Sequence, residues 1–195
     1  MVSLIATTNK EYQHELERYV QHNESIEYFN TAGFIFIDDK DSTKIKLVKV
    51  FETHTLEIMY NAQLDENTEI SKDSNNATKL PFSILVLIKD KNGGGLVFDC
   101  MHTNDKFVID SVVYNEHIEE YLPSLLQPGK LGFNPSSCLI LTDEMKAGFG
   151  SYFESLGITN KLVYCIKQSA ANKEQKFYMD WLNQLHEFAL NSNNL

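Results

Sequence analysis

The fold class follows from residues 82–114, which read FSILVLIKDKNGGGLVFDCMHTNDKFVIDSVVY. Runs of apolar and β-branched residues alternate here with short polar turns, at Asp90–Gly94 and at Thr103–Asp105. Strands joined by turns this short are antiparallel neighbours in a sheet. The stretch therefore predicts a three-stranded meander made of Phe82–Lys89, Gly95–Met101 and Lys106–Tyr114.

Toward the N-terminus, apolar and polar residues recur with the period of two that is typical of β-strands. This period predicts further strands over Phe34–Ile37, Lys44–Phe51 and Thr53–Tyr60. The acidic stretch Asp38–Ser42 is typical of a turn between the first two of them, and the polar residues 64–79 predict a long loop. Six strands in sequence order are thus expected before the chain changes character.

A helix is predicted over residues 8–22, ahead of the strands. Thr8 and Glu11 have the spacing of a capping box. The helix has one apolar stripe, formed by Tyr12, Leu16, Tyr19 and Val20. On the opposite side we expect a charged face exposed to solvent, formed by Glu11, Glu15, Glu17 and Arg18.

The C-terminal third returns to a helical period. Glu116–Pro135 contains several prolines and glycines and predicts irregular structure, and Cys138–Leu141 is a candidate seventh strand. Thr142 is the expected cap of a helix that ends at Gly157. A short helical piece is expected around 162–166, followed by a last helix that Asn172 and Gln175 open and whose stripe is Tyr178, Trp181, Leu182, Leu185, Phe188 and Ala189.

These elements predict an α+β protein with one domain over residues 1–195, comprising the helix 8–22, an antiparallel sheet over 33–141 and helices over 142–190. A hydrophobic content of 43% excludes an intrinsically disordered chain. The net charge of −10 opposes binding to duplex nucleic acid and favours basic partners.

The compartment is indicated by several absences in the sequence. No apolar run approaches the roughly 20 residues of a membrane span, and residues 1–8 lack the features of a presequence. The three cysteines, Cys100, Cys138 and Cys165, form no CxxC pair, which favours a reducing compartment.

Three motifs carry possible chemistry. Asn92–Gly95 is followed by a strand and lacks the lysine of a phosphate-binding loop, so it predicts a hairpin turn. Cys100 and His102 share one face of a strand and could form a nucleophile and base, or a buried cysteine beside a surface histidine. Asp38–Asp41 resembles the start of a calcium loop but lacks its later ligands, so a solvated turn is favoured.

A family resemblance is carried chiefly by the C-terminal pattern. Its residues are Thr142-Asp143-Glu144, Phe149, Tyr152-Phe153-Glu154 and Gly157-Ile158, then Lys173-Glu174-Gln175, Tyr178, Trp181-Leu182, Leu185 and Phe188. Gly33-Phe34, the lysine-rich strand 44–50 and Leu96–Cys100 add to it. Over Thr8–Ala189 the chain resembles the mitochondrial acidic matrix protein family, also called the mitochondrial glycoprotein family.

The resemblance implies a twisted, seven-stranded antiparallel sheet with one N-terminal and two C-terminal helices. It also implies a ring-shaped homotrimer with an acidic side, located in the mitochondrial matrix. Members of the family act without cofactors as non-enzymatic scaffolds or chaperone-like partners of basic proteins, ribosomes and RNA-processing factors. We therefore expect support of mitochondrial gene expression. A small-molecule enzyme using Cys100 and His102, or an accessory subunit of an RNA-processing complex, is the alternative.

Two groups of site residues follow. The expected acidic surface for basic partners consists of Asp38, Asp39, Asp41, Asp65, Glu66, Glu69 and Asp73. The residues expected in helix packing or in the contact between subunits are Tyr12, Leu16, Tyr19, Tyr178, Trp181, Leu182, Leu185 and Phe188. Trp181, at the centre of its stripe, is expected in the core between the first and last helices.

Overall fold

The computed structural model describes residues 2–19, 23–62, 82–103, 106–125 and 141–192. The elements, in chain order, are α1 (Val2–Arg18), α2 (Asn23–Thr31), β1 (Ile35–Asp38), β2 (Lys44–Val50), β3 (His54–Asn61), β4 (Phe82–Asp90), β5 (Gly95–Thr103), β6 (Lys106–Asn115), α3 (Ile118–Leu125), α4 (Asp143–Leu156) and α5 (Asn160–Ser192). Strands form one block and most of the helical residues lie outside it, which confirms the α+β class.

The described strands form one antiparallel sheet in the order β1-β2-β3-β4-β5-β6. Every strand pairs with its sequence neighbours, so the meander predicted from the sequence is confirmed. The strand count differs from the seven implied by the family resemblance, because the described ranges contain six. The candidate seventh strand, Cys138–Leu141, lies outside the described residues except for Leu141.

The hairpin between β4 and β5 depends on its glycines. Gly93 has a φ of +96°, a backbone conformation that residues with a side chain rarely adopt. A Cβ on Gly95 would lie 2.2 Å from the carbonyl oxygen of Ile88, on the paired strand. Asp90 closes the turn by accepting hydrogen bonds from the amides of Asn92 at 2.6 Å and Gly94 at 3.2 Å. The turn interpretation of Asn92–Gly95 is therefore confirmed.

The main core lies between one face of the sheet and the helices α2, α4 and α5. Alternate residues of the strands point into it, as the period of two predicts; they include Ile45, Leu47, Leu56, Ile58, Ile84, Val86, Phe98 and Cys100. The ring of Phe98 is fully buried and makes edge contacts with Phe149 at 5.3 Å and Phe153 at 4.8 Å. The sheet therefore forms one side of the core, and the helices cover the other side.

The opposite face of the sheet carries a second apolar cluster, which corrects one prediction. Leu87 of β4 and Val97 of β5 pack with Ile118 of α3, and all three side chains are buried. Glu116–Pro135 was expected to be irregular, yet α3 is a helix that contains Pro123. Complete burial of Ile118 supplies a tertiary contact that a reading of local propensities could not include.

The N-terminal helix also differs from its prediction. α1 begins at Val2 and not at Thr8, whose hydroxyl lies within hydrogen-bond distance of the carbonyl oxygens of Leu4 at 3.0 Å and Ile5 at 3.1 Å. Thr8 is therefore an interior helical residue that bonds back to the preceding turn. A second helix, α2, follows where none was predicted, and its Phe29 is fully buried in the main core.

The ends of α4 are as the sequence predicts. Thr142 accepts a hydrogen bond from the amide of Met145 at 3.3 Å, and Gly157 adopts the left-handed conformation with a φ of +90°. The amide of Ile158 returns to the carbonyl of Phe153 at 2.9 Å, which completes a Schellman-type stop.

The expected short piece and last helix are in fact one helix, α5, of 33 residues. It begins at Asn160, where the hydroxyl of Thr159 accepts a hydrogen bond from the amide of Leu162 at 3.2 Å. The segment between the two predicted pieces contains no glycine or proline, and Ser169, Ala170 and Lys173 continue its buried side. Two helices therefore follow the sheet region in the described 141–192, as expected, but their boundaries differ.

Candidate partner-binding surfaces

The first and last helices are packing partners. α1 lies antiparallel along the C-terminal half of α5, so that early residues of α1 meet late residues of α5. The hydroxyl of Thr8 lies 3.1 Å from Nδ1 of His186, and Gln175 donates a hydrogen bond to Glu15 at 3.2 Å. The pairing of these two helices is thus confirmed.

The aromatic residues of the last stripe, however, do not fill the contact between α1 and α5. The exposed fraction is 53% for Trp181 and 67% for Phe188, so the expectation that Trp181 lies in the core of the folded chain is wrong. The buried side of this half of α5 is formed by Met179, Leu182 and Ala189. Of the other expected packing residues, Tyr12, Tyr19 and Leu185 are half-buried, whereas Leu16 and Tyr178 are exposed.

Tyr178 and Trp181 instead stack on each other at the surface, and we call them the aromatic pair. Their rings stack with centroids 5.8 Å apart and planes 20° apart. The hydroxyl of Tyr178 donates a hydrogen bond to Glu11 at 3.5 Å. Partial burial, and after it the carboxylates of Glu11 and Glu15, raise the pKa of Tyr178 above its ordinary value.

Glu11 and Glu15 are functional candidates that sequence reasoning missed. Both were assigned to a solvated face of the first helix, but both are half-buried and contact α5. Their spacing of four residues does put them on one face of a helix. That signal was visible in the sequence, but nothing in it identified Tyr178 as their neighbour.

The acidic turn between β1 and β2 is only partly available to a partner. Asp38 forms an ion pair with Lys173 of α5, a side chain that is 8% exposed. The same ammonium donates to the carbonyl oxygens of Asp39 at 2.8 Å and Lys44 at 3.1 Å. Asp39 accepts a hydrogen bond from the amide of Asp41, and both carboxylates are exposed. Asp38 is therefore neutralised by the fold, whereas Asp39 and Asp41 remain at the surface.

The remaining acids of the expected surface are Asp65, Glu66, Glu69 and Asp73, and they lie outside the described residues.

An ion-pair network lies on the sheet face opposite the main core. Glu57 of β3 meets Lys46 at 2.7 Å and Lys89 at 3.0 Å, and Lys89 also bonds to Glu119 of α3. Burial alone would raise the pKa of Glu57, but the two lysines outweigh it and hold this pKa below its ordinary value. One lysine of the lysine-rich strand β2 is thus paired with a carboxylate of the same chain. The strand register is needed to see this, because Lys46 and Glu57 are not opposite each other.

The candidate pair Cys100 and His102 is not arranged as an accessible catalytic site. Cys100 is fully buried in the main core. His102 lies with its Nδ1 3.4 Å from the ammonium of Lys167 on α5. A nucleophilic thiol must reach its substrate, and a fully buried one has no route to it in this fold.

The described residues contain neither a cluster suited to a metal ion nor a helix suited to spanning a membrane. No three histidine, cysteine, aspartate or glutamate side chains there are grouped closely enough to hold a metal ion. None of the described helices is both long and apolar enough to cross a membrane.

The sequence profile of the mitochondrial glycoprotein (MAM33) family matches residues 8–189, which is nearly the whole chain. The chain belongs to the mitochondrial glycoprotein family. Membership indicates a mitochondrial protein from a family of binding proteins, and it confirms the resemblance drawn from the C-terminal pattern. A search of curated proteins finds no match.

Solved structures show the same fold. A hypothetical Leishmania major protein, described as a sequence homologue of human p32, superposes with a TM-score of 0.73 at 19% identity, covering 96% of this chain and 98% of its own. The Trypanosoma brucei p22 protein superposes with a TM-score of 0.71 at 19% identity, covering 95% and 96%. At such identities the likeness establishes the p32-like fold of this member of the mitochondrial glycoprotein family.

Proposed function

We propose that this protein is a non-enzymatic, acidic scaffold of the mitochondrial matrix that binds basic proteins and supports mitochondrial gene expression. The observation that carries the proposal is the family match over residues 8–189. A net charge of −10 supports basic partners, because the electric field of an acidic protein attracts cations. At physiological salt this attraction is screened over about 8 Å. The complete burial of Cys100 disfavours the enzymatic alternative.

We also propose that the protein is a homotrimer. Two exposed apolar patches, on different elements, support self-association. One lies at the β1 edge of the sheet, where the exposed fractions of Ile35, Ile37 and Val50 are 59%, 47% and 69%. The other is at Phe188 near the end of α5, whose exposed fraction is 67%. Clustered apolar side chains at a surface are typical of contacts between proteins.

Titration with a basic peptide at two salt concentrations tests the binding proposal. We expect the affinity to fall steeply between about 50 mM and about 500 mM salt, because the Debye length shortens over that range. Naked duplex nucleic acid of matched length serves as the comparison and should bind weakly, since its phosphates are repelled. Salt-independent binding of the peptide, or tighter binding of the nucleic acid, would contradict the proposal.

The role in gene expression needs a cellular measurement. Affinity capture from mitochondria, with identification of the eluted proteins, should recover basic components of the ribosome or of RNA-processing complexes. Recovery should be lost when the same capture is washed at high salt. A capture that yields mainly metabolic enzymes would contradict this part of the proposal.

A further inference from the structure

Several aromatic rings of this protein carry a lysine of the same chain. The ammonium group lies 5.1–5.8 Å from the ring centroids in each case, within the range of a cation–π contact. The contacts are Lys49 with Phe34 and Phe51, Lys161 with Tyr28 and Tyr164, and Lys173 with Phe177. In the part of the chain that the structure describes, no lysine or arginine occupies such a position over the aromatic pair Tyr178–Trp181.

Carboxylates take the place of a lysine beside this pair. Glu11 accepts the hydrogen bond of the Tyr178 hydroxyl, and Glu15 lies one helical turn further along α1. Gln175, the nearby partner of Glu15, is uncharged. The aromatic pair is therefore an exposed π surface beside two carboxylates, and among the described residues no lysine or arginine forms an ion pair with Glu11 or Glu15.

We propose that Tyr178, Trp181, Glu11 and Glu15 form a binding site for an arginine side chain of a basic partner protein. A guanidinium is planar, so it can stack on the Trp181 ring while its N–H groups donate to a carboxylate. A lysine ammonium offers the charge without the planar fork. The site rests on the proposed binding of basic partners and gives that function a location away from the acidic turn.

Charge complementarity favours a basic partner over a second copy of this chain at this site. The chain has 27 acidic and 17 basic residues. Among the basic residues that the structure describes, Lys46, Lys89 and Lys173 are already paired with internal carboxylates. A basic partner brings the cation that the site lacks, and it brings it to a surface where Trp181 is half exposed.

Trp181 reports on its own occupancy, because it is the single tryptophan of the sequence. The test uses the full chain and an arginine-rich peptide without aromatic residues, with a lysine-for-arginine peptide of equal charge as comparison. We expect the arginine peptide to change the tryptophan fluorescence in a saturable way. We expect the lysine peptide to bind more weakly, by about threefold or more, since it cannot stack and bond at once.

Two variants separate the parts of the site and a third serves as the control, with binding followed by the anisotropy of a labelled arginine peptide. Trp181→Leu keeps an apolar side chain of good helix propensity and should weaken binding about three- to tenfold. The double substitution Glu11→Gln with Glu15→Gln should weaken peptide binding more than Trp181→Leu does. The matched control is Glu52→Gln with Glu116→Gln, which removes the same charge from two exposed residues in connections elsewhere in the fold. Light scattering of each variant checks its assembly.

The outcomes distinguish this site from the general function. If the peptide binds the wild type but Trp181→Leu and the Glu11/Glu15 variant bind as tightly as the control, the site is wrong and the proposed function stands. If no basic peptide binds the wild type, the proposed function fails. If Trp181→Leu reduces the mass of the assembly, the surface is a contact between copies of this chain and the inference is overturned.

Discussion

Lys173 and Trp181 lie on the same helix and have exchanged their usual environments. Lys173 is 8% exposed and Trp181 is 53% exposed, although lysine is among the residues least often buried. Lys173 is buried because Asp38 and two backbone carbonyls surround its ammonium. At the scale of a residue, the oxygen atoms contributed by the β1–β2 turn decide burial, and residue type alone does not.

Replacing Lys173 tests this contact. Lys173→Met keeps the aliphatic part but leaves Asp38 and the two carbonyls without their donor, and should lower the free energy of unfolding by about 1–3 kcal/mol. We do not expect the larger loss that follows when a fully buried ion pair is broken, because 40% of the Asp38 side chain is exposed to water. Lys176→Met, at an exposed position of the same helix, is the control. Chemical denaturation is the measurement, and equal effects of the two substitutions would contradict the assignment.

A second pair of substitutions compares a buried with an exposed aromatic residue. Phe98→Ala should lower the free energy of unfolding by about 3–5 kcal/mol, because it leaves a cavity between Phe149 and Phe153. Trp181→Ala should lower it by only about 1 kcal/mol within one folded chain, since half of the ring is already in water. Denaturation curves of both variants give the comparison. Similar losses would mean that Trp181 is covered in solution.

At the scale of secondary structure, local sequence patterns predicted those elements whose formation depends on neighbouring residues. Apolar runs bounded by turns and residues with a period of two located all six described strands. Thr142 and Gly157 fixed the ends of α4 because caps act on adjacent backbone groups. The helices α2 and α3 were missed because their buried apolar side chains, Phe29 and Ile118, have packing partners that are distant in sequence. For the same reason the acids beside Tyr178 could not be found from the sequence.

Two glycines of the α4 region should respond to alanine in opposite directions. Gly157→Ala should destabilise the protein by about 1–2 kcal/mol, because alanine is strained at a φ of +90°. Gly148→Ala should stabilise it by about 0.5–1 kcal/mol, since Gly148 is inside the helix and a Cβ there meets open space. Thermal unfolding of the two variants would show it. A shift of the same sign in both would refute the boundary of α4.

The network around Glu57 should make the sheet sensitive to acid. The pKa of Glu57 lies below its ordinary value near 4.5, so the folded state releases this proton more readily than the unfolded state. Its contribution to stability is therefore present above that value and is lost as the pH falls through the lowered pKa. Glu57→Gln should flatten the loss of stability between about pH 5 and about pH 3 in denaturation measured as a function of pH.

Glu174 provides the matched contrast for this measurement. Burial raises its pKa, so its folded state favours the protonated form and its effect has the opposite sign: stability is lost as the pH rises. Glu174→Gln should therefore steepen the decline toward acid that Glu57→Gln flattens. If both variants give the wild-type profile, neither carboxyl governs the response of the fold to acid.

At the scale of the whole molecule, the exposed apolar side chains are distributed over two regions. The β1 edge carries Ile35 and Ile37, and the far end of α5 carries Phe188. A patch that meets a different patch on the next copy generates a ring when the rotation closes. This arrangement is compatible with the proposed trimer.

The mass in solution tests the trimer. Light scattering in moderate salt should give about three times 22.4 kDa. Ile35→Lys combined with Ile37→Lys should reduce the mass, because a charge replaces apolar contact at an exposed edge. Lys40→Glu, in the neighbouring turn, is the control for a changed charge at that end of the sheet. A wild-type mass of 22.4 kDa at micromolar concentration would contradict the proposal.

The antiparallel contact of α1 with α5 imposes an order on the folding of the chain. Thr8 contacts His186, which lies 178 positions later in the chain, so α1 cannot pack until α5 has been made. The strands of the meander pair with their neighbours in sequence, whereas α1 and α2 both pack on α5, which lies far along the chain. Until then the face of α1 that packs on α5 in the folded protein lacks this partner. A chain that is still being synthesised therefore presents α1 without its α5 partner to the chaperones that bind it.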